Sequence, residues 1–379
     1  MKFTVSLIMA IVLLTPALNG QKVITNPDKP ANPTSGRIIV PQKVMEISGD
    51  SDDFFFKNPD NINIGSDGSI FVADEKEILK FSPEGRFCLN YYKDGQGPAE
   101  ATSTSGFIPL PDNTVAIHNQ APNKVMTFDS QGKLISEVRI PIDKQLFLFL
   151  IKNDAYYFYS VEMPDTMGSE KILDVPHQFL AVAKNDFSVQ KTISLPIKTY
   201  LVKAPGAGYI SVKEASMLSY PVSDNSFYVS HTSGYGIKLM DLEKKEIIAE
   251  FSRKYKRVPV TKENIKYVVI MSFIFHGKYF ESPTPEYLND IQSLHVVNNK
   301  LLVITSTTDK QKGVLIDVFD ESGKYTDCFF FKFPNDDLWL RLDQRKVKIS
   351  GDALFAIEQD KDENWMISKY TAPFTELLK

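Results

Sequence analysis

The chain has 379 residues, of which 43% are hydrophobic and 24% are charged, a composition typical of soluble globular proteins. Its formal net charge is −4, which argues against binding to nucleic acid or to an anionic membrane, because both attract basic surfaces. A chain of this length can bury a large core, so its stability requires neither a metal nor a disulfide.

Residues 1–20 are predicted to be a secretory signal peptide. Lys2 gives a positive start, residues 6–14 are almost wholly apolar, and Pro16 and small residues follow, with cleavage expected near Gly20. The apolar stretch is shorter than the ~20 residues that span a bilayer, so no stable membrane insertion is expected after cleavage. We therefore predict an exported chain, either periplasmic or secreted, that continues with an extended linker at 21–36.

One pattern of β-rich runs and turns occurs six times from residue 67 onward. The first copy, "DGSIFVADEKEILKFSPEGRF" at 67–87, has a polar turn, an apolar strand, a second strand, a turn and a third strand. Four-stranded β units need roughly 40–50 residues, so wider spacings indicate insertions, which are expected at about 161–177, 195–220 and 252–290. The equivalent turn positions are Gly68, Asn113, Asp154, Asn225, Asn299 and Asp352.

An apolar run precedes each copy, which gives four strands per unit and predicts an all-β fold, a six-bladed β-propeller of four-stranded antiparallel blades over residues 37–379. The second strands "IFVA", "YYFY", "LLVI" and "LFAI" are apolar at consecutive positions, as expected of strands that are buried on both faces. The last copy has only three strands. The run at 37–48 is therefore predicted to supply its outer strand and to close the ring.

The two cysteines, Cys88 and Cys328, are expected in the outer strands of the first and fifth blades. Those blades are not neighbours, and a disulfide needs Cα atoms within roughly 7 Å. We therefore predict two unpaired, partly buried thiols.

The run "NPDNINIGSDGSIFVADEKEILKFSPEGRF" resembles the repeat of NHL-type propellers. The following "DGQGPAE" (94–100) resembles the Gly-x-Gly-Pro-Gly-Glu loop of exported, TolB-like six-bladed propellers of Bacteroides-like bacteria, with Ala99 where that family usually has Gly. A later stretch, 283–305, is also similar to that family. The resemblance implies the propeller fold and export. Its motifs are structural, and it implies no shared enzymatic activity.

Polar residues follow the apolar run of every second strand at the same register. We predict that they form a ring around one mouth of the central channel, where they would bind a ligand. A simpler alternative is that strand ends are polar because they meet solvent. The ring consists of Asp74, Asn119, Ser160, His231, Thr305 and Glu358.

Asp74 and Glu358 belong to the first and last blades, which become neighbours when the ring closes. Two carboxylates within reach of each other could bind Ca²⁺ or share a proton for acid–base chemistry. The sequence has no Gly-x-Ser-x-Gly, His-Glu-x-x-His or Cys-x-x-Cys motif and no phosphate loop. Its five histidines lack the spacing of zinc ligands.

The leading hypothesis is an exported scaffold that binds a protein, glycan or small-molecule ligand at one face of the ring, with no cofactor and no catalysis. The insertions of blades three to five would build that face, and an apolar run at 268–275 would form a short helix or a strand over the channel. The alternative is a propeller hydrolase or lyase with a divalent metal at the mouth, for which Asp74, His231 and Glu358 are the first candidate residues. A third hypothesis is a structural element of a cell-surface assembly, which would expose an apolar patch.

Overall fold

The computed structural model describes residues 22–49, 53–142, 144–152, 154–161, 171–204, 208–213, 217–223, 225–265, 268, 272–275, 278–281, 284–334 and 344–378. The predicted signal peptide lies outside the described residues. Within them, no helix is both long and apolar enough to cross a membrane.

Six sheets follow one another along the chain and form the blades of a six-bladed propeller, which confirms the predicted fold. Three N-terminal strands precede them: β1 (Lys22–Asn26), β2 (Arg37–Ile39) and β3 (Gln42–Ser48). Blade one comprises β4 (Pro59–Ile64), β5 (Ile70–Asp74), β6 (Glu77–Phe81) and β7 (Phe87–Asn90). Blade two comprises β8 (Thr104–Pro109), β9 (Val115–Gln120), β10 (Asn123–Phe128) and β11 (Leu134–Arg139).

Blade three has five strands: β12 (Leu146–Lys152), β13 (Ala155–Val161), β14 (Lys171–Ala183), β15 (Val189–Ala204) and β16 (Gly208–Lys213). Blade four comprises β17 (Met217–Ser223), β18 (Ser226–His231), β19 (Ile237–Asp241) and β20 (Glu246–Arg253), and a separate hairpin follows with β21 (Ser272–Phe275) and β22 (Lys278–Glu281). Blade five comprises β23 (Ile291–Val297), β24 (Lys300–Asp309), β25 (Gly313–Phe319) and β26 (Tyr325–Phe331). Blade six comprises β27 (Val347–Ser350), β28 (Ala353–Gln359) and β29 (Trp365–Thr371), before the short helix α1 (Phe374–Leu377).

Apolar contact between neighbouring blades explains the composition of the second strands. The buried apolar side chains fall into six clusters, and each cluster joins one pair of neighbouring blades. Within β5, Phe71 packs towards blade two while Val72 packs towards blade six. Successive residues therefore enter different clusters, so the strand must be apolar at consecutive positions.

The turns of the repeat also follow from local chemistry. Asn113, Asp154 and Asn299 adopt positive φ values of 64°, 53° and 58° between the first and second strands of their blades, and Gly68 has a φ of 83°. Asn, Asp and Gly tolerate this left-handed conformation better than other residues do. Four of the six aligned turn positions thus share one backbone geometry, whereas in blade six the positive φ of 57° falls on Gly351, one residue before the predicted Asp352.

Ring closure by the N-terminal segment is confirmed for β3, which pairs antiparallel with β29 and places Ile47 opposite Ile367. The predicted single strand at 37–48 is wrong in its first part, since β2 pairs in parallel with β26 of blade five. Pro41 lies between the two strands and lacks the amide hydrogen that a continuous ladder needs.

Part of the predicted linker at 21–36 is a strand in the structure. This strand, β1, pairs in parallel with β20 on the outer edge of blade four. Asn26 is buried, and its Nδ2 donates to the carbonyl oxygens of Ser252 and Gly323, both at 2.9 Å. Its Oδ1 accepts a 2.9 Å hydrogen bond from the amide of Tyr325. The outer edges of blades four and five otherwise offer unpaired backbone groups, and the N-terminal segment covers them.

The loop at 94–100 is fastened to blade two. Lys124 is fully buried, and its Nζ donates to the carbonyl oxygen of Gly97 at 2.9 Å and lies 3.1 Å from a carboxylate oxygen of Glu137. Glu100 accepts from the amide of Gly97 at 2.8 Å, and Ala99 adopts a φ of 61°. The family usually has Gly at this position, which fits the left-handed conformation seen here.

The cysteines lie in the predicted outer strands and are free in the structure. Cys328 in β26 is buried. Cys88 is exposed, which corrects the expectation of partial burial; it lies in β7, the outer strand of blade one, where partly buried and exposed residues alternate.

Candidate functional site

The register of the sheets brings the six predicted ring residues to one end of the central channel. Five of them pair with the first residue of the innermost strand of their own blade, as Asp74 does with Pro59 and Asn119 does with Thr104. Glu358 follows Ile357, whose amide donates to the carbonyl of Lys346, directly before β27. We call this end of the channel the mouth. The other three pairs are Ser160 with Leu146, His231 with Met217, and Thr305 with Ile291.

Two of the ring residues cap the loop that leads into the innermost strand. The carboxylate oxygens of Asp74, which is fully buried, accept from the amides of Lys57 at 2.8 Å and Asn58 at 2.6 Å. In the next blade, Oδ1 of Asn119 accepts from the amides of Thr102 at 3.0 Å and Ser103 at 2.9 Å. A polar side chain at this register therefore satisfies backbone groups that would otherwise be buried without partners.

The other ring residues are also engaged by their own blades. Glu358 accepts from the hydroxyl of Tyr370 at 3.0 Å and lies 3.4 Å from Nζ of Lys43. Thr305 donates to the carbonyl of Leu315 at 2.9 Å. Ser160 is buried, whereas His231 is only half-buried.

His231 begins the "HTSGYG" turn, and its Nδ1 lies 3.1 Å from Oγ of Ser233. Burial lowers the pKa of His231, and the charge of Lys238 adds to that effect. The turn is held by Arg257, which donates to the carbonyl of Ser233 at 3.1 Å and pairs with Asp290 at 2.9 Å. Burial therefore favours the neutral form of the His231 imidazole. The contacts of Arg257 stabilise the turn that follows His231.

Asp74 and Glu358 do not share a hydrogen-bond partner. Burial raises the pKa of Asp74, and the two amide bonds oppose that rise. Among the side chains that the structure describes, no group of three or more His, Cys, Asp or Glu could hold a metal ion. Ligand binding by the ring residues themselves stays a prediction.

An aromatic pair at the mouth was not predicted from the sequence. Phe147 and Tyr159 lie directly opposite each other on β12 and β13. Their ring centroids are 4.6 Å apart with an interplanar angle of 12°, both residues are partly exposed, and Tyr159 packs against the apolar cluster between blades three and four. The stacking fixes the orientation of both rings at the start of the innermost strand of blade three.

An ion pair lies on the other side of the mouth. Nη1 of Arg345, just before β27, lies 3.1 Å from Oδ2 of Asp60 in β4, and the two side chains are 62% and 41% exposed. The carbonyl of Arg345 also accepts from the amide of Ile62 at 2.8 Å, which joins blades six and one. Exposure of this kind leaves an ion pair worth roughly 1 kcal/mol or less to stability.

These two groups lie at the mouth ends of blades three and six, which are opposite in a six-membered ring. Burial raises the pKa of Tyr159, and the positive charge of Arg345 opposes this rise. We call Asp60, Phe147, Tyr159 and Arg345 the mouth site.

The inserted segments emerge on the mouth side of the ring. Val161, the last residue of β13, pairs with His177, but β14 and β15 continue to pair as far as Lys171 and Leu201. β16 then pairs with the far part of β15. These residues form a three-stranded arm, 171–176, 197–204 and 208–213, that extends about 20 Å beyond the end of β13 at ~3.3 Å per residue.

The insertion between β20 and β23 likewise starts and ends at the mouth side. Part of its apolar run, Ser272–Phe275, is a strand paired with Lys278–Glu281. Of the two predicted alternatives, a helix or a strand, the strand is therefore correct for those residues. Residues 269–271 of that run lie outside the described residues.

Comparisons with known proteins agree with this architecture. A protein of Bacteroides fragilis described as a candidate exported protein has 14% sequence identity and a TM-score of 0.54, covering 93% of this chain and 99% of that one. A member of the DUF4221 family from Bacteroides vulgatus has 9% identity and a TM-score of 0.53, covering 89% and 99%. At these identities the likeness shows the fold alone. A comparison with curated proteins gives no match. The model of the 6-bladed beta-propeller family DUF5128 matches residues 50–271, and the chain belongs to that family.

Proposed function

We propose that this chain is an exported propeller scaffold that binds a ligand at the mouth and performs no chemistry on it. The observation that carries the proposal is the mouth site, where a stacked aromatic pair and an exposed ion pair lie at the mouth ends of blades three, six and one. Ligand sites typically combine apolar walls with a few placed polar groups.

The arm of blade three and the insertion before blade five also favour the mouth side of the ring as the binding face. Insertions in repeat proteins commonly lie on one face, which is often the one that binds. Both insertions begin where β13 and β20 end, at the mouth side. The mouth site would then lie at the floor of a walled cleft.

A binding role without catalysis is favoured by what holds the mouth carboxylates. The Asp74 carboxylate already accepts hydrogen bonds from two backbone amides. The Glu358 carboxylate accepts a hydrogen bond from the Tyr370 hydroxyl and forms an ion pair with Lys43. General acid–base catalysis needs a group within hydrogen-bond reach of substrate, and these two carboxylates are buried. The predicted signal peptide and the exported relative support a periplasmic or secreted location.

A thermal-unfolding screen tests this proposal. The purified chain is heated with a library of sugars, nucleosides, amino acids and short peptides, since a ligand that binds only the native state raises the midpoint. At 100 times Kd the rise corresponds to about 2.7 kcal/mol, or roughly 5 °C. Arg345→Gln should abolish the shift. Arg86→Gln, which changes an exposed arginine in a blade-one turn, should leave it intact.

Two outcomes would count against the proposal: no compound raises the midpoint, or the rise persists in Arg345→Gln. Added EDTA and Ca²⁺ separate it from the metal-dependent alternative. We expect neither to move the midpoint. A fall with EDTA that Ca²⁺ reverses would instead support a metal at the mouth.

A further inference from the structure

We propose that residues 254–257, which follow β20 at the mouth side of blade four, form a docking edge for an extended acidic segment of a partner protein. Carboxylates at alternate positions of that segment lie opposite Lys254 and Lys256. We call residues 254–257 the basic edge. The inference goes beyond the proposed function and is independent of it, because the basic edge shares no residue with the mouth site.

The chain along the basic edge alternates between anchored and exposed side chains. Arg253 is buried, and Tyr255 is partly buried and stacks on Tyr235 with ring centroids 4.9 Å apart. Lys254 and Lys256 are exposed. This period of two is typical of an extended chain, in which residues i and i+2 point to the same side and are about 6.6 Å apart. The two lysines therefore present their charges on one side.

Arg257 fixes the far end of the basic edge. Its Nε lies 2.9 Å from Oδ1 of Asp290, and its Nη2 donates to the carbonyl oxygen of Ser233 at 3.1 Å. The guanidinium carbon also lies 4.5 Å from the ring centroid of Tyr287. Because Asp290 compensates the charge of Arg257, the net positive charge of the edge comes from its two lysines. Anchoring of this kind lowers the entropic cost of binding, since the edge is ordered before the partner arrives.

Both lysines are available to bind carboxylates. Within the part of the chain that the structure describes, neither Nζ has a hydrogen-bond or ion-pair partner. The chain as a whole carries a net charge of −4, so its attraction for an acidic partner depends on local positive charge. Opposite charges on facing residues of neighbouring strands stabilise the pairing of those strands.

The backbone of the basic edge favours a polypeptide over a nucleic acid or an acidic polysaccharide. Among the described residues, the N–H and C=O of Lys256 have no hydrogen-bond partner. On either side, the amide of Lys254 donates to the carbonyl of Asn26 at 3.2 Å, and the carbonyl of Val258 accepts from the amide of Leu288 at 2.8 Å. An extended peptide can pair with a free edge through its own backbone, and its alternate side chains then give specificity.

Fluorescence anisotropy of labelled peptides with the purified chain tests the inference. The probe alternates Glu and Thr over eight residues, and a block peptide of four Glu followed by four Thr has the same charge. We expect a Kd of about 100 μM for the alternating peptide at low salt, and binding of the block peptide at least about fivefold weaker. Lys254→Gln combined with Lys256→Gln should weaken the alternating peptide about tenfold, because two facing charge pairs are lost. Lys133→Gln combined with Lys324→Gln changes two exposed lysines in turns away from the mouth and should leave binding unchanged.

Each contrary result would overturn the inference. These results are no binding of the alternating peptide at about 1 mM, equal affinity for the block peptide, or binding that survives the double substitution of Lys254 and Lys256. Equal binding of an alternating peptide with N-methylated amides would exclude backbone pairing, and hexagalacturonate that binds as tightly would indicate a general polyanion surface. Arg345→Gln separates this inference from the proposed function, because it should leave peptide binding intact while it abolishes the shift in the thermal screen.

Discussion

Replacement of Asp317 by alanine should strongly destabilise the joint between blades four and five. Asp317 lies in β25 and is fully buried. Its carboxylate accepts from Nε of Arg253 at 2.7 Å, from the Tyr325 hydroxyl at 2.7 Å and from the Tyr235 hydroxyl at 2.5 Å. Arg253 ends β20, so this one carboxylate links the outer strand of blade four to the third strand of blade five.

The size of the effect follows from what the substitution would leave behind. Removing one partner of a buried ion pair costs about 3–5 kcal/mol, because the other charge stays buried and uncompensated. Among the residues that the structure describes, the buried Nη2 of Arg253 already has no hydrogen-bond partner. Two tyrosine hydroxyls would also lose their acceptor. Some compensation remains, since the guanidinium lies 4.9–5.2 Å from the ring centroids of Tyr235, Tyr255 and Tyr325.

We therefore expect Asp317→Ala to lower the free energy of unfolding by about 4 kcal/mol, or the melting temperature by roughly 10 °C. Denaturant unfolding of Asp317→Leu, Arg253→Met and the double variant would complete a cycle. The double variant should be less destabilised than the sum of the single variants, because it buries no unpaired charge. Glu84→Ala, in an exposed pair with Arg86, serves as the matched control and should change stability by less than about 0.5 kcal/mol. A loss below about 1 kcal/mol for Asp317→Ala, or strict additivity in the cycle, would refute this reasoning.

Three further predictions concern the N-terminal segment, the pH dependence and the thiols. Asn26→Ala removes three hydrogen bonds, two of them buried, and should cost about 2–4 kcal/mol in denaturant unfolding; a cost near zero would show that β1 is not part of the folded unit. Burial lowers the pKa of His118 to about 4, against the effect of its hydrogen bond to Asn123. Below pH 6.5 His118 binds a proton in the unfolded chain but stays neutral in the folded chain. The free energy of unfolding should therefore fall between pH 6.5 and about 4, by up to about 3 kcal/mol. His118→Gln should flatten this decline, and an unchanged slope of stability against pH would contradict the assignment. Exposed Cys88 should react with a maleimide in the native protein, and buried Cys328 only on unfolding; mass spectrometry that finds equal labelling of both would be the contrary result.

The fold could be predicted because its signals are local and repeated. Asn113, Asp154 and Asn299 occupy left-handed turn positions that few residue types tolerate, so the turns recur visibly in the sequence. The consecutive apolar residues of β5 and its counterparts reflect burial between two blades, which is the same physical requirement six times over.

The additions to the blades could not be predicted in the same way. Strands β1 and β2 are short and pair in parallel with strands more than 200 residues away, so their pairing depends on edges that exist only in the folded ring. The polar residue at the end of each second strand was identified, but its capping role was not, because Asp74 and Asn119 bond to amides of a preceding loop. The register of the sheet is needed to see that relation.

The mouth site was missed because its members do not all occupy one repeat position, although Asp60 and Phe147 are each the second residue of an innermost strand. Arg345 precedes an innermost strand, Asp60 is inside another, and Phe147 and Tyr159 become neighbours through the pairing of β12 with β13. An alignment of the repeats compares equivalent positions, whereas this site combines different positions from three blades. A partial signal was present in the clustering of aromatics at 147–159.

Native mass spectrometry of the purified chain with the compounds that raise the midpoint in the thermal screen tests the central claim most directly, because it reports binding and chemical change together. The account predicts a complex whose mass equals the chain plus one intact ligand molecule, its loss in Arg345→Gln, and full recovery of the unaltered ligand after prolonged incubation. A ligand recovered with a changed mass would show catalysis. A complex that survives in Arg345→Gln would place the binding site elsewhere, and either result would contradict the account.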